Sequence, residues 1–253
     1  MAKNFYDTDR ALSEYLLFHY GMTPRLLPPG MPDCGALDFP VRCVTECLDF
    51  TRLPKVGRAL DLGCAVGRAS FELARHFTDV VAIDFSRQFI GAARRLQSRG
   101  AFGFSCCEEG DVTSPCRARI PTGISRNRVK FQVGDAMRLP KNLGSFHVVL
   151  MANLIDRLSN PRECLKQLPS LIHKGGQLVI TSPYTWLREY TPKQHWLGGF
   201  ERGSKPVKTL DTLKSLLSAD FRLIRRRNLP FLLREHSRKF QFSVAEATTW
   251  LRK

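Results

Sequence analysis

Seven consecutive residues, Asp61-Leu62-Gly63-Cys64-Ala65-Val66-Gly67, combine one acid with small residues at positions 63, 65 and 67. Small residues let a backbone approach a bound ligand closely. The apolar stretch Val56–Leu60 before the loop reads as a strand, and Ala69–Arg75 after it reads as a helix. The loop therefore delivers its ligand to a helix N-terminus, where backbone N–H groups lack partners. Its G-x-A-x-G spacing is tighter than the G-x-G-x-x-G of dinucleotide sites. Two more acids follow at strand ends. Asp84 closes Val80-Val81-Ala82-Ile83, about 20 residues beyond the loop, where an acid can grip a ribose diol. Phe85 beside it can lie against an adenine face. Asp135, in Gly134-Asp135-Ala136 after the alternating run Val129–Val133, can accept a hydrogen bond from an exocyclic amine. Ligands of open α/β sheets bind at this edge of strand tips.

The loop, with its acid two residues before the first glycine, resembles the S-adenosylmethionine (SAM) loop of the class I methyltransferases. That resemblance implies cofactor binding by Asp61, Gly63, Cys64, Ala65, Gly67, Asp84, Phe85, Asp135, Ala136 and Asn153, with S-adenosylhomocysteine as product. It implies an α/β, Rossmann-like fold: a seven-stranded, mostly parallel sheet with one antiparallel strand and an N-terminal helical cap.

The elements that must position these residues follow from pattern and punctuation. Helical spacing over 9–20 stops at Gly21, and Pro24, Pro28, Pro29, Gly30 and Pro32 predict a loop. A second helix is expected over 40–52, with Pro40 in its first turn. Strands are expected at about 56–61, 79–84, 129–134, 146–151 and 177–181, with helices over 67–77, 86–99, after Pro161 and over 208–219. Residues 221–234 and 239–251 form a closing hairpin, and 100–128 an inserted excursion that includes a hairpin. Alternating strand and helix with a final hairpin gives a parallel sheet with one reversed strand. The chain reads as a single domain: a cap over 1–54 and a core over 55–253 carrying the insertion at about 100–128.

Composition narrows the setting. At 253 residues with 43% hydrophobic content, the chain can bury a sizeable core. No apolar run approaches the roughly 18 residues of a membrane-crossing helix, and Met1-Ala2-Lys3-Asn4 leads into no apolar signal segment. The eight cysteines form no C-x-x-C pair and no zinc pattern with histidine, so they are expected as free thiols in the cytoplasm, with no metal. The vicinal pair Cys106-Cys107 has a redox reading as its alternative. A net charge of +16 concentrates on Arg87, Arg94, Arg95 and Arg99 and on the Arg/Lys-rich stretch 222–239. Such charge suits nucleic acid or a merely solvated face; no nucleic-acid module accompanies it.

An acceptor for a donor methyl must be held by the next strand tips and the cap. Asn153, Asp156 and Arg157 follow one strand; Ser182-Pro183-Tyr184-Thr185-Trp186 follows the next, with Tyr184 and Trp186 suited to wall a planar acceptor. Glu235-His236 at the closing hairpin's turn can orient a ring. Arg42 or Arg238 can take a carboxylate.

Several segments together resemble the C-terminal methyltransferase domain of the OvoA family of ovothiol-biosynthesis enzymes. They are residues 4–21, 36–43, 59–70, 181–187 and 230–241, including Asn4-Phe5-Tyr6-Asp7-Thr8-Asp9-Arg10 and Arg234-Glu235-His236-Ser237-Arg238-Lys239-Phe240-Gln241. The resemblance spans nearly the whole chain and implies a SAM-dependent N-methyltransferase acting on an imidazole nitrogen of 5-thiohistidine (4-mercaptohistidine). Catalytic roles then fall to Asn153, Asp156, Glu235 and His236. Substrate binding falls to Tyr6, Arg42, Tyr184, Trp186 and Arg238. The family's iron-dependent sulfoxide synthase portion is absent here, which makes a separate synthase domain or protein a candidate partner. The alternatives are a methyltransferase docking RNA or another macromolecule on the basic face, and a non-catalytic module that binds the donor only structurally.

Overall fold

Strongly apolar, β-branched runs alternate with helices that carry one buried stripe, and this alternation builds a layered α/β molecule. The computed structural model describes residues 5–28, 30–32 and 35–253. The expectations for Met1–Asn4, Pro29 and Cys34 lie outside them. In chain order come α1 (Asp9–Tyr20), α2 (Thr23–Leu26), α3 (Phe39–Thr45), β1 (Arg58–Leu62), α4 (Arg68–Leu73), β2 (Asp79–Asp84) and α5 (Arg87–Arg99). The inserted strands β3 (Ala101–Glu109) and β4 (Val112–Arg119) follow, then β5 (Val129–Val133), β6 (Phe146–Ala152), α6 (Pro161–Leu171) and β7 (Ile172–Ser182). The chain closes with β8 (Phe200–Arg202), β9 (Lys205–Val207), α7 (Thr209–Leu217), β10 (Phe221–His236) and β11 (Lys239–Arg252).

The main sheet has seven strands in the order β10-β11-β7-β6-β1-β2-β5. Pairings between β1, β2, β5, β6 and β7 are parallel, while β11 runs against both its neighbours, so one strand is reversed, as expected. One face is covered by α3, α4 and α5, with Phe71, Phe77 and Phe89 fully buried. The other packs against α6 and α7 around Leu165, Leu213, Phe146 and Trp250. Burying each such side chain stabilises the fold by about 1.5–3 kcal/mol.

Four expectations need correction. The helix foreseen over 40–52 ends at Thr45, because the Asp49 carboxylate accepts from Thr51 N and starts a separate 3-10 turn at Phe50–Arg52. Within the Pro-rich loop, α2 makes one short turn. The small hairpin β8–β9, unforeseen, turns at Gly203 and Ser204, both at positive φ (54° and 61°). The cysteines are not all free thiols: Cys106 and Cys116 form a disulfide across the inserted hairpin, where antiparallel pairing holds their Cα atoms 6.1 Å apart.

The closing hairpin is longer than the sheet it joins. Only Glu246–Leu251 of β11 pairs with β7, yet β10 and β11 stay paired out to His236 and Lys239. The free half leaves the sheet as a two-stranded ribbon. It is held by Phe231, whose ring lies 4.9 Å from Phe39 and 6.0 Å from Phe18, and it meets α1 and the inserted hairpin near its turn. Among the described residues no helix is long and apolar enough to cross a membrane.

Candidate active site

The donor loop is tied to the neighbouring strand. Gly63 N and Cys64 N both donate to the Ile83 carbonyl (2.8 and 3.1 Å), and Gly67 N donates to Cys64 O. Gly63 and Gly67 adopt φ of 72° and 84°. A Cβ on Gly63 would stand 2.8 Å from Leu154, and one on Gly67 would stand 2.7 Å from the Phe131 ring. The loop thus requires glycine for both conformation and space. Ala65 also sits at positive φ (47°), an unusual state for a residue with a Cβ and one that concentrates at functional sites.

Asp84 closes the loop from the β2 tip. Its Oδ2 accepts from Ala65 N and its Oδ1 from Ser86 N, both at 2.8 Å. Burial raises this carboxyl to about 6, while those two backbone donors hold it down. A carboxylate has about four acceptor positions, so capacity remains for a diol. Phe85 projects into solvent, 61% exposed, which suits a flat face awaiting an aromatic ligand. Asp61 is different: fully buried in β1, it accepts from Ser70 Oγ at 2.6 Å, and burial lifts its pKa to about 7. It braces the start of α4 beneath the loop. Cys64 is buried with its thiol pushed well up by burial. Asp135 accepts from Met137 N at 2.9 Å, and Ala136 is buried with its carbonyl turned to Gln167.

The β6 and β7 tips form the second half of the site. Asn153 and Tyr184 both adopt left-handed backbones (φ 50° and 55°), a cost of order 1–2 kcal/mol each that the surrounding contacts hold in place. Asn153 is locked by Thr181, which accepts from its backbone N and donates to its Oδ1. Asp156 is fully buried. Its Oδ2 accepts from Thr185 N (2.9 Å) and Arg157 (3.2 Å), the Ser182 hydroxyl is a neighbour, and Oδ1 has no hydrogen-bond partner among the described residues. Burial raises its pKa. Arg157 also donates to Tyr6 Oη at 3.0 Å and lies 4.9 Å from the centre of the Tyr190 ring. Tyr6 packs against Tyr15, Phe89 and Tyr190. Ser86 Oγ caps α5 and reaches the Tyr6 carbonyl (2.8 Å), which ties this cluster to the donor side.

The structure brings Tyr6, Asp156 and Tyr184 to this edge, and leaves other expected residues elsewhere. Trp186 does not wall the cleft: its indole is buried in the α6–α7 core, donating to Thr209 Oγ1 and stacking on Trp196. Arg42 is spent on the Gly35 and Pro230 carbonyls and on Glu46, fastening α3 to β10. Glu235 and His236 lie near the ribbon's turn against Arg10 and the inserted hairpin, and Arg238 is exposed in the turn itself. Tyr184 directs its hydroxyl to Glu246 Oε2 at 2.6 Å; burial, with that carboxylate beside it, raises its pKa. Unforeseen at the site are Tyr15, Tyr190 and His19. The ring-bearing residues Tyr15, Phe18 and His19, spaced i, i+3, i+4 on α1, were the available signal for the first and third. Burial lowers the His19 imidazole to about 3, with Arg68 beside it, so it stays neutral.

Residues 40–224 match a family model described as a methyltransferase domain. Over 152 residues the chain is 23% identical to ajmaline N-methyltransferase of Rauvolfia serpentina; the match covers 56% of this chain and 43% of that protein, so it spans less than half the relative's length. A shorter stretch of 92 residues is 29% identical to ribosomal RNA small subunit methyltransferase C of Alcanivorax borkumensis, covering 36% and 28% of the two chains. Among solved structures, the N-methyltransferase NodS of Bradyrhizobium japonicum, in complex with S-adenosyl-L-homocysteine, superposes with a TM-score of 0.53 at 14% identity, over 95% of this chain and 98% of that one.

Proposed function

We propose that this chain, which belongs to the methyltransferase-domain family, methylates an imidazole nitrogen of 5-thiohistidine with SAM as donor, giving an ovothiol. The residues present fit that donor: two glycines whose Cβ would be obstructed, a carboxylate at the β2 tip and an exposed ring beside it. When bound, SAM supplies an electrophilic methyl group on a sulfonium. Everything else is positioning by this chain.

Asp156 carries the acceptor side of the reading. Its Oδ2 is fixed by Thr185 and Arg157, the Ser182 hydroxyl lies beside it, and its buried Oδ1 has no hydrogen-bond partner among the described residues. A neutral imidazole presents one N–H and one lone pair, and with a reference pKa near 6.5 it is mostly neutral at pH 7. A ring that donates its N–H to Asp156 Oδ1 turns its lone-pair nitrogen away, so one carboxylate selects both tautomer and aim. No strong base is then needed. Arg157, Tyr6 and Tyr190 pack beside this group and exclude water from it. The thiohistidine assignment rests on the resemblance of residues 4–21 and 230–241 to the OvoA family, and the names of the ajmaline enzyme and NodS agree with transfer to nitrogen.

The test is mass spectrometry of the full chain incubated with methyl-labelled SAM and 5-thiohistidine, histidine or bulk RNA. Label on thiohistidine is expected, and Asp156→Asn should lower turnover roughly 10- to 100-fold, the loss of one charged hydrogen bond, while sparing donor binding. Label on RNA with thiohistidine untouched would overturn the acceptor and favour docking through the basic face.

A further inference from the structure

A cleft lies on the far side of α1 from the donor loop. It encloses about 770 Å³ between α1, the inserted hairpin and the ribbon end of β10–β11. Its α1 wall is Arg10, Ser13, Glu14 and Leu17, the i, i+3, i+4, i+7 positions that share one helical face. The opposite face carries Tyr15, stacked 4.8 Å from Phe89, and Tyr20 at the end of α1 donates to the Val66 carbonyl of the donor loop. None of the strand-tip residues lines the cleft. One helix therefore stands between this cleft and the donor-loop residues.

The cleft is built from buried charges of both signs. Glu14, Glu235 and Arg234 are 7%, 8% and 5% exposed. Glu235 is already held by three donors, Arg10, Lys239 and Gln241. Among the described residues Glu14 is engaged only through Oε1, by Arg10 at 2.8 Å, which leaves Oε2 to accept from a ligand. Arg234 is pinned by the Arg25 carbonyl and by Glu108, which fixes the plane of its guanidinium. Its Nε–H, fully buried, has no acceptor among the described residues. An orphan donor of this kind is rare in native interiors and marks a missing partner.

We infer that this cleft binds a free α-amino acid as its zwitterion, the ammonium on Glu14 and the carboxylate on Arg234. A ligand of one sign would satisfy only one of the two; the zwitterion satisfies both and adds no net charge to a desolvated site. The inference goes beyond the methyl-transfer reading and does not require it. Because α1 also contacts the donor side through Tyr20 and Tyr15, occupancy here is positioned to influence the donor loop.

Titration calorimetry of the full chain, saturated with S-adenosylhomocysteine to fill the donor site, tests this with L-histidine, histamine and imidazolepropionate as probes. L-Histidine is expected to bind. Histamine, lacking the carboxylate, and imidazolepropionate, lacking the ammonium, should each bind at least roughly 10-fold more weakly. Glu14→Gln should weaken L-histidine by a similar factor. Ser13→Tyr, which fills the cleft without touching a charge, should abolish binding while S-adenosylhomocysteine still binds, and it decides the matter if Glu14→Gln fails to fold. Asp156→Asn should leave L-histidine binding in this cleft unchanged. Absence of L-histidine binding, equal binding of the three probes, or binding lost in Asp156→Asn and retained in Ser13→Tyr would overturn the inference. None of these outcomes bears on the methylation assay, which tests the acceptor separately.

Discussion

Replacing Gly67 by alanine is the sharpest test of how the loop is built. Gly67 holds φ at 84°, where a residue with a Cβ is disfavoured by about 1–2 kcal/mol. The new methyl would also meet Cε1 and Cζ of Phe131 at 2.7 Å. That ring is 5% exposed and sits edge-on to Phe71, 5.4 Å away, so it has little room to withdraw; overpacking of this kind costs about 1–3 kcal/mol. The two effects together give roughly 2–5 kcal/mol, a large share of the 5–15 kcal/mol typical of a native domain. Urea unfolding should show a lower midpoint with an unchanged slope, since the surface exposed on unfolding is the same. S-Adenosylhomocysteine affinity should fall as well, because the backbone that must approach the ligand is displaced. A stability loss below about 1 kcal/mol with the slope unchanged would refute the argument, showing that the ring yields or that the left-handed turn is not required.

Two other perturbations address the acids and the exposed ring. Burial places the Asp61 pKa at about 7, above an unfolded value near 3.9, so its proton is bound more tightly in the native state. Its stabilising contribution is complete below about pH 4 and disappears as pH rises through about 7; Asp61→Asn should flatten that part of the urea-midpoint profile, and a variant profile parallel to the parent's between those limits would reject the assignment. Phe85→Ala removes an exposed ring and should leave stability within about 0.5 kcal/mol. Calorimetry should nevertheless show S-adenosylhomocysteine binding weakened roughly 5- to 100-fold if the ring stacks on the base, and an unaltered affinity would place the adenine elsewhere.

What the sequence discloses here is governed by the range of the interaction. The bounds of α1 were legible because both signals are local: Thr8 accepts from Ala11 N at one end and Gly21 stops the helix at the other. The donor loop was legible because its glycines answer to backbone conformation within a few residues. Trp186 and Arg42 were not, although both have the right chemistry for an acceptor site. The indole's fate was decided by Thr209, 23 positions on, and the guanidinium's by Pro230, 188 positions on. Glu235 and His236 were placed by the ribbon leaving the sheet, which depends on β11 pairing with β7 over only six residues. Local pattern cannot encode where such a hairpin departs. The disulfide follows the same logic: 10 residues separate Cys106 from Cys116, but only the antiparallel register of β3 and β4 brings them together. Local geometry in this fold was therefore readable where one strand tip supplies its own neighbours. It was unreadable where a distant segment claims the side chain first, and α1, with the cleft on one face and the packed rings of Tyr6 and Phe89 on the other, is where both kinds of contact meet.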